Sequence, residues 1–92
     1  MSSSTNTIAL SGSYELSRLA ELRTELLEFS GQNPEGPVHL DLEAVDRADV
    51  GLVQLLASFG ASLSAKGREL TLALSGAVET LFQRAGVPVP GR

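Results

Sequence analysis

Apolar and polar residues alternate in three short segments of the chain, a pattern typical of strands that bury one face. The segments lie around 7–10, over 38–43 and over 69–74. A strand that is buried on both faces has a continuous apolar run instead, and none of the three segments has one. The pattern predicts a small sheet with helices on one side and a largely polar face on the other.

Three longer segments repeat their apolar residues at helical spacing. The first helix is predicted over Tyr14–Phe29, with Ser13 as its N-cap. Its expected buried stripe is Leu16, Leu19, Leu22, Leu26 and Phe29. The second helix is predicted over Gly51–Lys66, and the third follows Ser75 and ends at Gly86. Strands and helices therefore alternate as β-α-β-α-β-α, which favours a single α/β domain.

Both ends of the sequence are predicted to lie outside this domain, which spans 7–87. Residues 1–6 are polar and are expected to form a flexible N-terminal tail. Residues 88–92 contain prolines that cannot donate backbone hydrogen bonds, so a C-terminal tail is expected there. The N-terminus has no signal-peptide pattern, and no apolar run approaches the roughly 20 residues of a membrane span. The sequence predicts a cytoplasmic protein.

Composition excludes several kinds of site. The chain has no cysteine and one histidine, which excludes disulfides, thiol nucleophiles and metal centres built on cysteine or several histidines. Its net charge of −4 disfavours binding to nucleic acid or to an anionic membrane. A phosphate-binding loop motif is absent. We expect no cofactor, no metal ion, no catalytic residue, no nucleic-acid partner and no direct membrane insertion.

Four acidic residues lie close together in the centre of the chain: Asp41, Glu43, Asp46 and Asp49. Carboxylates in such a cluster could bind a divalent cation or take part in acid–base chemistry. Helix caps and turns favour the same residue types for local reasons. The preferred interpretation is that Asp49 caps the second helix, Asp46 belongs to a turn and Glu43 is solvated.

His39 and Asp41 share one face of the second strand, because side chains alternate along a strand. This polar face is the candidate site of an alternative function, the binding of a small ligand or nucleotide. The sequence does not predict a serine near them that could act as the nucleophile of a catalytic site. A partly exposed histidine on the sheet is therefore the expected structure.

The second helix has no charged residue from Val50 to Ala65. Its predicted outer face consists of Gln54, Ala57, Ser58, Ala61 and Ala65. A helix face in contact with water normally carries charge, whereas the centres of protein interfaces are depleted of it. The sequence therefore favours a protein-docking surface here. Cover by the C-terminal tail or by a dimer contact is the other interpretation.

The order of elements and the central segment resemble a STAS domain, the fold of bacterial anti-sigma factor antagonists. In that family a strand ending in Asp-Leu and a short turn precede Asp-Ser/Thr-x-Gly-Leu at a helix start. Residues 38–42 (Val-His-Leu-Asp-Leu) and 45–52 (Val-Asp-Arg-Ala-Asp-Val-Gly-Leu) are similar to this pattern. Residues 65–72, the apolar positions of the third helix and 85–87 also fit, so the resemblance covers about 7–87. Residues 53–56 are similar to STAS proteins found with chemotaxis components.

The resemblance implies a STAS-like α/β domain with a small mixed sheet and about three helices packed mainly on one face. It also implies a non-enzymatic interaction module that docks a regulatory protein through the 46–51 loop and the following helix. The implied partner is an anti-sigma factor or serine kinase, or a chemotaxis or lipid-transport ABC transporter component. The candidate partner-binding residues are Asp46, Asp49, Val50, Gly51, Gln54 and Ser58.

Two departures from the family pattern change these expectations. The position that a partner kinase phosphorylates in the family holds Val50 here, or Asp49 if one residue is missing from the loop. Neither has a hydroxyl group, so the phospho-switch is expected to be absent. Family members also usually have an extra N-terminal strand and a further element after the third helix. An edge of this sheet is therefore expected to be exposed, which favours a homodimer.

Overall fold

The computed structural model of the protein describes residues 6–91, and the predicted alternation of strands and helices is confirmed. The elements are β1 (Asn6–Tyr14), α1 (Leu16–Gln32), β2 (Val38–Ala48), α2 (Val50–Ser64), β3 (Leu70–Leu74) and α3 (Gly76–Ala85). Within this range no helix has the length and apolar character needed to cross a membrane.

The three strands form one sheet in the order β1-β2-β3, and both pairs are parallel. The expected mixed sheet is thus wrong for the described part of the chain. Each connection between strands contains a helix, and such a crossover returns the next strand in the same direction. Right-handed crossovers in this strand order place α1 and α2 on the same face. The α/β fold with helices on one side is confirmed.

The core fills the space between the sheet and the three helices. The sheet contributes seven buried side chains, which are Leu10, Tyr14, Val38, Leu40, Leu42, Val45 and Leu70. The helices contribute Leu22, Leu26, Leu52, Val53, Leu56, Phe59, Leu63, Val78 and Phe82. The predicted cap Ser75 accepts a hydrogen bond from the backbone N–H of Val78 at 3.3 Å, which fixes the start of α3. Within the described part of the chain no helix lies on the opposite face of the sheet, which carries mainly small and polar residues.

β1 is longer than predicted and includes the residues expected to start the first helix. Ser13 lies within β1 and does not cap α1, while Tyr14 is buried in the core. Gly12 adopts a φ of +84°, at a point where the register between β1 and β2 shifts. α1 therefore begins only at Leu16, whose side chain is 74% exposed and not part of the predicted buried stripe.

Two bulges extend β2 beyond its predicted end. Ala9 pairs with Asp41 but Ser11 pairs with Ala44, so β2 contains one more residue than β1 over this stretch. The Asp41 carboxylate accepts a hydrogen bond from the backbone N–H of Glu43 at 3.0 Å, which satisfies a donor at the bulge. A second extra residue, Asp46, follows. Asp46 consequently lies in a strand, and the prediction that it belongs to a turn is wrong.

Both ends of the described chain are tied to the domain. Asn6, assigned to the N-terminal tail by the sequence, opens β1 and donates its backbone N–H to the Pro37 carbonyl at 3.1 Å. The rest of that predicted tail, 1–5, lies outside the described residues. Residues 87–91, here called the C-terminal segment, also pack on the domain, with Val87 and Val89 against the core. A Cβ placed on Gly60 would lie 3.2 Å from the Pro90 Cβ, so α2 and this segment are in close contact. The predicted tail 88–92 is thus packed as far as 91.

Arg68 is a buried cation that the sequence analysis did not identify, with 8% of its surface exposed. Its guanidinium donates to the backbone carbonyls of Gly36 at 2.8 Å, Asn33 at 2.6 Å and Ser30 at 3.4 Å. These carbonyls belong to the end of α1 and the following loop, whereas Arg68 itself follows α2. One side chain therefore holds the α1–β2 connection against the start of β3.

Arg68→Met keeps the apolar stem but removes all three hydrogen bonds. Because hydrogen bonds from a charged donor contribute more than neutral ones, we expect the free energy of unfolding to fall by about 2 kcal/mol. Urea denaturation followed by circular dichroism measures this change. The control is Lys66→Met in the exposed turn before Arg68, with an expected change within about 0.5 kcal/mol. Equal effects from the two substitutions would contradict the role given to the guanidinium.

Candidate functional site

Three helices begin at the same end of the sheet. α1, α2 and α3 start at Leu16, Val50 and Gly76, each after the carboxyl end of a strand. Because the strands are parallel, the positive ends of the three helix dipoles lie near one another. Open α/β sheets commonly bind their ligands at this end. The candidate site is therefore built from the residues around these three helix starts.

Asp49 connects two of the helix starts. It occupies the N-cap position of α2, as predicted, but makes no side-chain hydrogen bond to that helix. Its carboxylate instead accepts a hydrogen bond from the backbone N–H of Leu16 at 2.6 Å, in the first turn of α1. Glu15, the N-cap residue of α1, provides no side-chain cap, so this N–H needs an acceptor from elsewhere. The prediction that Asp49 caps α2 is correct for its position and wrong for its hydrogen bond.

The segment 46–51 is not a loop, which corrects the predicted docking element. Asp46 is in β2, Asp49 is the N-cap residue, and Val50 and Gly51 form the first turn of α2. Gly51 is half-buried, and a Cβ placed on it would lie 2.7 Å from a Leu19 methyl group. Gly51 thus lets α1 pack closely on α2, which differs from the partner contact expected of it.

Val50, Gln54 and Ser58 lie one turn apart on the exposed side of α2. The exposure of Gln54 and Ser58 agrees with the predicted outer face, whereas Val50 was expected in a loop before the helix. Val50 is 52% exposed although it is apolar. Leu16 lies beside this row, because its N–H bonds to the residue that precedes Val50. We call Leu16, Val50, Gln54 and Ser58 the neutral face. Apolar spacing alone predicts Leu16 in the core, so the sequence does not identify it as a surface residue.

A narrow groove continues the neutral face between α1 and α2. Its volume is about 120 Å³, and Ser58 lies on its α2 side. On its α1 side are Arg23 and Leu27, and Leu27 is 49% exposed. Leu27 follows the buried residue Leu26 and is an additional apolar residue of α1 that does not pack in the core. That excess of apolar residues was the signal in the sequence for this groove.

The C-terminal segment covers one side of α2, which explains why that side of the helix has no charged residue. Together with Ala57, Gly60 and Ala61 it lines a groove of about 440 Å³. Ala57 is half-buried there, while Gln54 and Ser58 remain exposed. The predicted cover by the C-terminal tail therefore applies to one side of α2, and the side that carries Gln54 and Ser58 is uncovered. The surface open to a partner is narrower than the sequence predicted.

Asp46 lies in a cleft between the carboxyl end of β2 and α3, with a volume of about 400 Å³. Glu15 and Asp49 also line this cleft, together with Arg47 and Arg84. The three carboxylates oppose the positive helix ends, so the cleft has no excess of positive charge for a phosphate group. Among residues 6–91 no three acidic or histidine side chains are grouped closely enough to hold a metal ion.

His39 and Asp41 are engaged within the sheet. The His39 Nδ1 lies 2.8 Å from the hydroxyl oxygen of Thr71 on the neighbouring strand. The Asp41 carboxylate holds the bulge of β2 through the N–H of Glu43. The expected partly exposed histidine is confirmed, because His39 is half-buried on the open face. These hydrogen bonds explain both residues without a ligand.

Asp49→Ala is expected to destabilise the domain, because it removes the carboxylate that links the N-cap position of α2 to the first turn of α1. We expect the free energy of unfolding to fall by about 1–2 kcal/mol, the range of other N-cap deletions. Asp49→Asn retains an acceptor oxygen, so it should have the smaller effect. Thermal and urea denaturation measure both variants, with Asp46→Ala as the control at a nearby exposed carboxylate. An Asp49→Ala variant as stable as Asp46→Ala would show that the hydrogen bond to Leu16 contributes little.

Comparison with known protein families matches the chain over nearly its whole length. The family model described as "Mlab, STAS domain" covers residues 1–88. A search of curated proteins finds no significant match. The arrangement of three helices on a three-stranded sheet agrees with a single domain of this family. STAS domains are generally non-enzymatic regulatory modules. The match and the fold agree with the resemblance carried by residues 38–52, and the chain belongs to the STAS domain family.

Proposed function

We propose that this STAS domain binds a regulatory protein through the neutral face and performs no chemistry of its own. The observation that carries the proposal is the exposure of Leu16 and Val50, 74% and 52%, beside a helix face without charge. Exposed apolar side chains grouped on an uncharged surface are typical of the centre of a protein interface. The groove beside Leu27 extends the same surface towards α1.

The residues of the site have separate roles in this proposal. Asp49 holds the first turns of α1 and α2 together and thereby fixes the distance between Leu16 and Val50. These two side chains provide the apolar contact, and Gln54 and Ser58 provide hydrogen bonds to the partner. Asp46 lies in the charged cleft on the other side of Asp49, where it can orient the partner at the rim.

Binding through this surface is independent of phosphorylation at the helix start. Val50 has no hydroxyl group, and the Asp49 carboxylate is already used by the N–H of Leu16. A phosphate at this position would add about −1.5 to −2 charges and repel a complementary surface. Without a hydroxyl group to phosphorylate at the start of α2, the concentrations of the two proteins determine how much partner is bound.

An anti-sigma factor or serine kinase is the partner class that the STAS resemblance favours. A chemotaxis component and a lipid-transport ABC transporter component are the alternatives. All three are proteins, and the neutral face suits any of them because it lacks charge. The binding of a small ligand near His39 has less support, since both polar side chains of that region have partners within the sheet.

A photo-crosslinking amino acid at Gln54 is expected to capture one protein partner in lysate of the source cells. The same amino acid at Gln83, which is exposed on α3, should not capture it. Val50→Asp and Ser58→Arg should each reduce capture from Gln54 at least about tenfold, because each places a charge within an uncharged contact.

The matched control for these substitutions is Gln83→Arg, which adds a charge outside the neutral face. Circular dichroism establishes that each variant is folded. Capture that is equal in Val50→Asp, Ser58→Arg and Gln83→Arg would place the partner on another surface. Capture from the Gln83 position alone would have the same meaning.

Equilibrium dialysis tests the ligand-binding alternative directly. With ATP, GTP, Mg²⁺ or Ca²⁺ at about 100 µM, we expect equal concentrations on both sides of the membrane. The reason is that the cleft at the helix starts contains three carboxylates, and His39 and Asp41 on the open face already have hydrogen-bond partners. Retention of one of these ligands, abolished by His39→Ala, would support the alternative function.

A further inference from the structure

The two edges of the sheet differ in how they are protected. At the β3 edge the C-terminal segment, which contains Pro88 and Pro90, lies against the start of the strand. A Cβ placed on Gly91 would lie 2.5 Å from the Leu70 carbonyl oxygen, so the backbones are in close contact. The β1 edge has nine residues, none of them charged and none a proline. Within residues 6–91 β1 pairs with β2 alone.

The hydrogen bonds at the ends of β1 define which backbone groups face this edge. The N–H of Asn6 donates to Pro37, and the carbonyl of Tyr14 accepts from the N–H of Asp49, both on the β2 side. Backbone groups of successive strand residues point to opposite sides, so even-numbered residues of β1 face β2. Thr7, Ala9 and Ser11 therefore direct their N–H and C=O groups away from the sheet.

Arg18 closes one end of this edge. Its Nη1 donates to the carbonyl of Ser13 at 2.7 Å, which agrees with the odd-numbered residues facing outwards. The guanidinium also lies 4.4 Å from the centre of the Tyr14 ring, so it is held in place from two sides. The protected part of the edge ends there. Among residues 6–91, the three donors and three acceptors of Thr7, Ala9 and Ser11 have no partner strand.

We propose that β1 pairs antiparallel with β1 of a second copy of this chain, on a two-fold axis through Ala9. Antiparallel pairing about this axis places Ala9 opposite Ala9, and Thr7 opposite Ser11 of the second copy. These pairs exchange six backbone hydrogen bonds and use every open group of the edge. An axis through Ser11 would require the carbonyl of Ser13, which Arg18 already occupies.

The side chains of β1 support this arrangement, because residues on the open face of one copy lie opposite residues on the open face of the other, and the same holds for the helix side. On the open face, Thr7 and Ser11 lie opposite each other and can share a hydrogen bond, with the small Ala9 at the axis. On the helix side, half-buried Ile8 lies opposite Leu10 of the second copy. No two charged residues of β1 oppose each other across the axis, since β1 contains none. A strand with alternating charges from another protein would not complement these uncharged side chains. A second copy of this chain is also always present, at the concentration of the protein itself.

The pairing produces a continuous sheet of six strands with all helices on one side. Because the two copies run antiparallel, their Asp49 ends point in opposite directions and both neutral faces remain open. The dimer therefore neither requires nor blocks the proposed binding of a regulatory protein. Failure of one proposal leaves the other in place, and separate variants test them.

Ala9→Lys is the variant that tests the pairing, and Ala73→Lys is its matched control. Both alanines lie on the open face, and both pair with Asp41, one on each side of it. Each lysine thus has the same carboxylate beside it. Only at position 9 would two like charges meet at the two-fold axis, where directly opposed charges destabilise a strand pair.

Sedimentation velocity measures the mass over a range of concentrations up to about 100 µM, where pairing of micromolar affinity is complete. We expect twice the chain mass of 9.6 kDa for the wild type and for Ala73→Lys. At each concentration Ala9→Lys should contain more monomer than the wild type, with a dissociation constant raised at least about tenfold. Hydrogen exchange adds a direct measurement: the amide of Ala9 should be protected in the wild-type dimer and exposed after dilution to the monomer.

Three results would overturn the proposal. A wild-type protein that stays monomeric at every concentration measured would show that no dimer forms. If Ala73→Lys weakens the dimer as much as Ala9→Lys does, the dimer forms through a surface other than β1. Rapid exchange of the Ala9 amide in a wild-type dimer also shows that β1 is not paired. Circular dichroism of both lysine variants establishes that they are folded, so a loss of mass reports on pairing.

Discussion

The parallel sheet with helices on one side is the constraint from which the other features of this STAS domain follow. Each strand is joined to the next by a helix, and the strand order β1-β2-β3 keeps these helices on the same face. All three helix starts therefore lie at one end of the sheet. No helix of residues 6–91 covers the other face or the two edges. The charged cleft, the neutral face and the open β1 edge are all consequences of this arrangement.

Within that arrangement, Asp49 is the residue through which stability and the proposed binding are coupled. Its carboxylate joins the first turns of α1 and α2. Leu16 and Val50, the two most exposed large hydrophobic residues within 6–91, belong to those turns. A substitution that loosens this contact changes the shape of the neutral face even where it leaves the surface residues intact. Loss of partner binding in Asp49 variants thus reports on geometry as well as on contact.

Much of the fold could be predicted from the sequence, because residue spacing records which face of each element is buried. The alternation in β2 and β3 and the cap of α3 at Ser75 are local patterns, and the structure agrees with them. The end of β1 was misassigned because Ser-Gly-Ser favours a turn, although the alternation continues to Tyr14. Arg68 could not be found in this way, since its carbonyl partners lie 32 to 38 residues away in the sequence.

The contacts of Asn6 and Gly91 also bear on how the domain can be built into larger proteins. Asn6 pairs with Val38, Val38 with Leu70, and Gly91 packs on Leu70. The first and last described residues are therefore separated by about three strand spacings, roughly 15 Å, at the amino end of the sheet. A short linker spans this distance, which makes the domain suited to circular permutation and to insertion into a surface loop. An inserted copy would turn Asp49 and the neutral face away from its host.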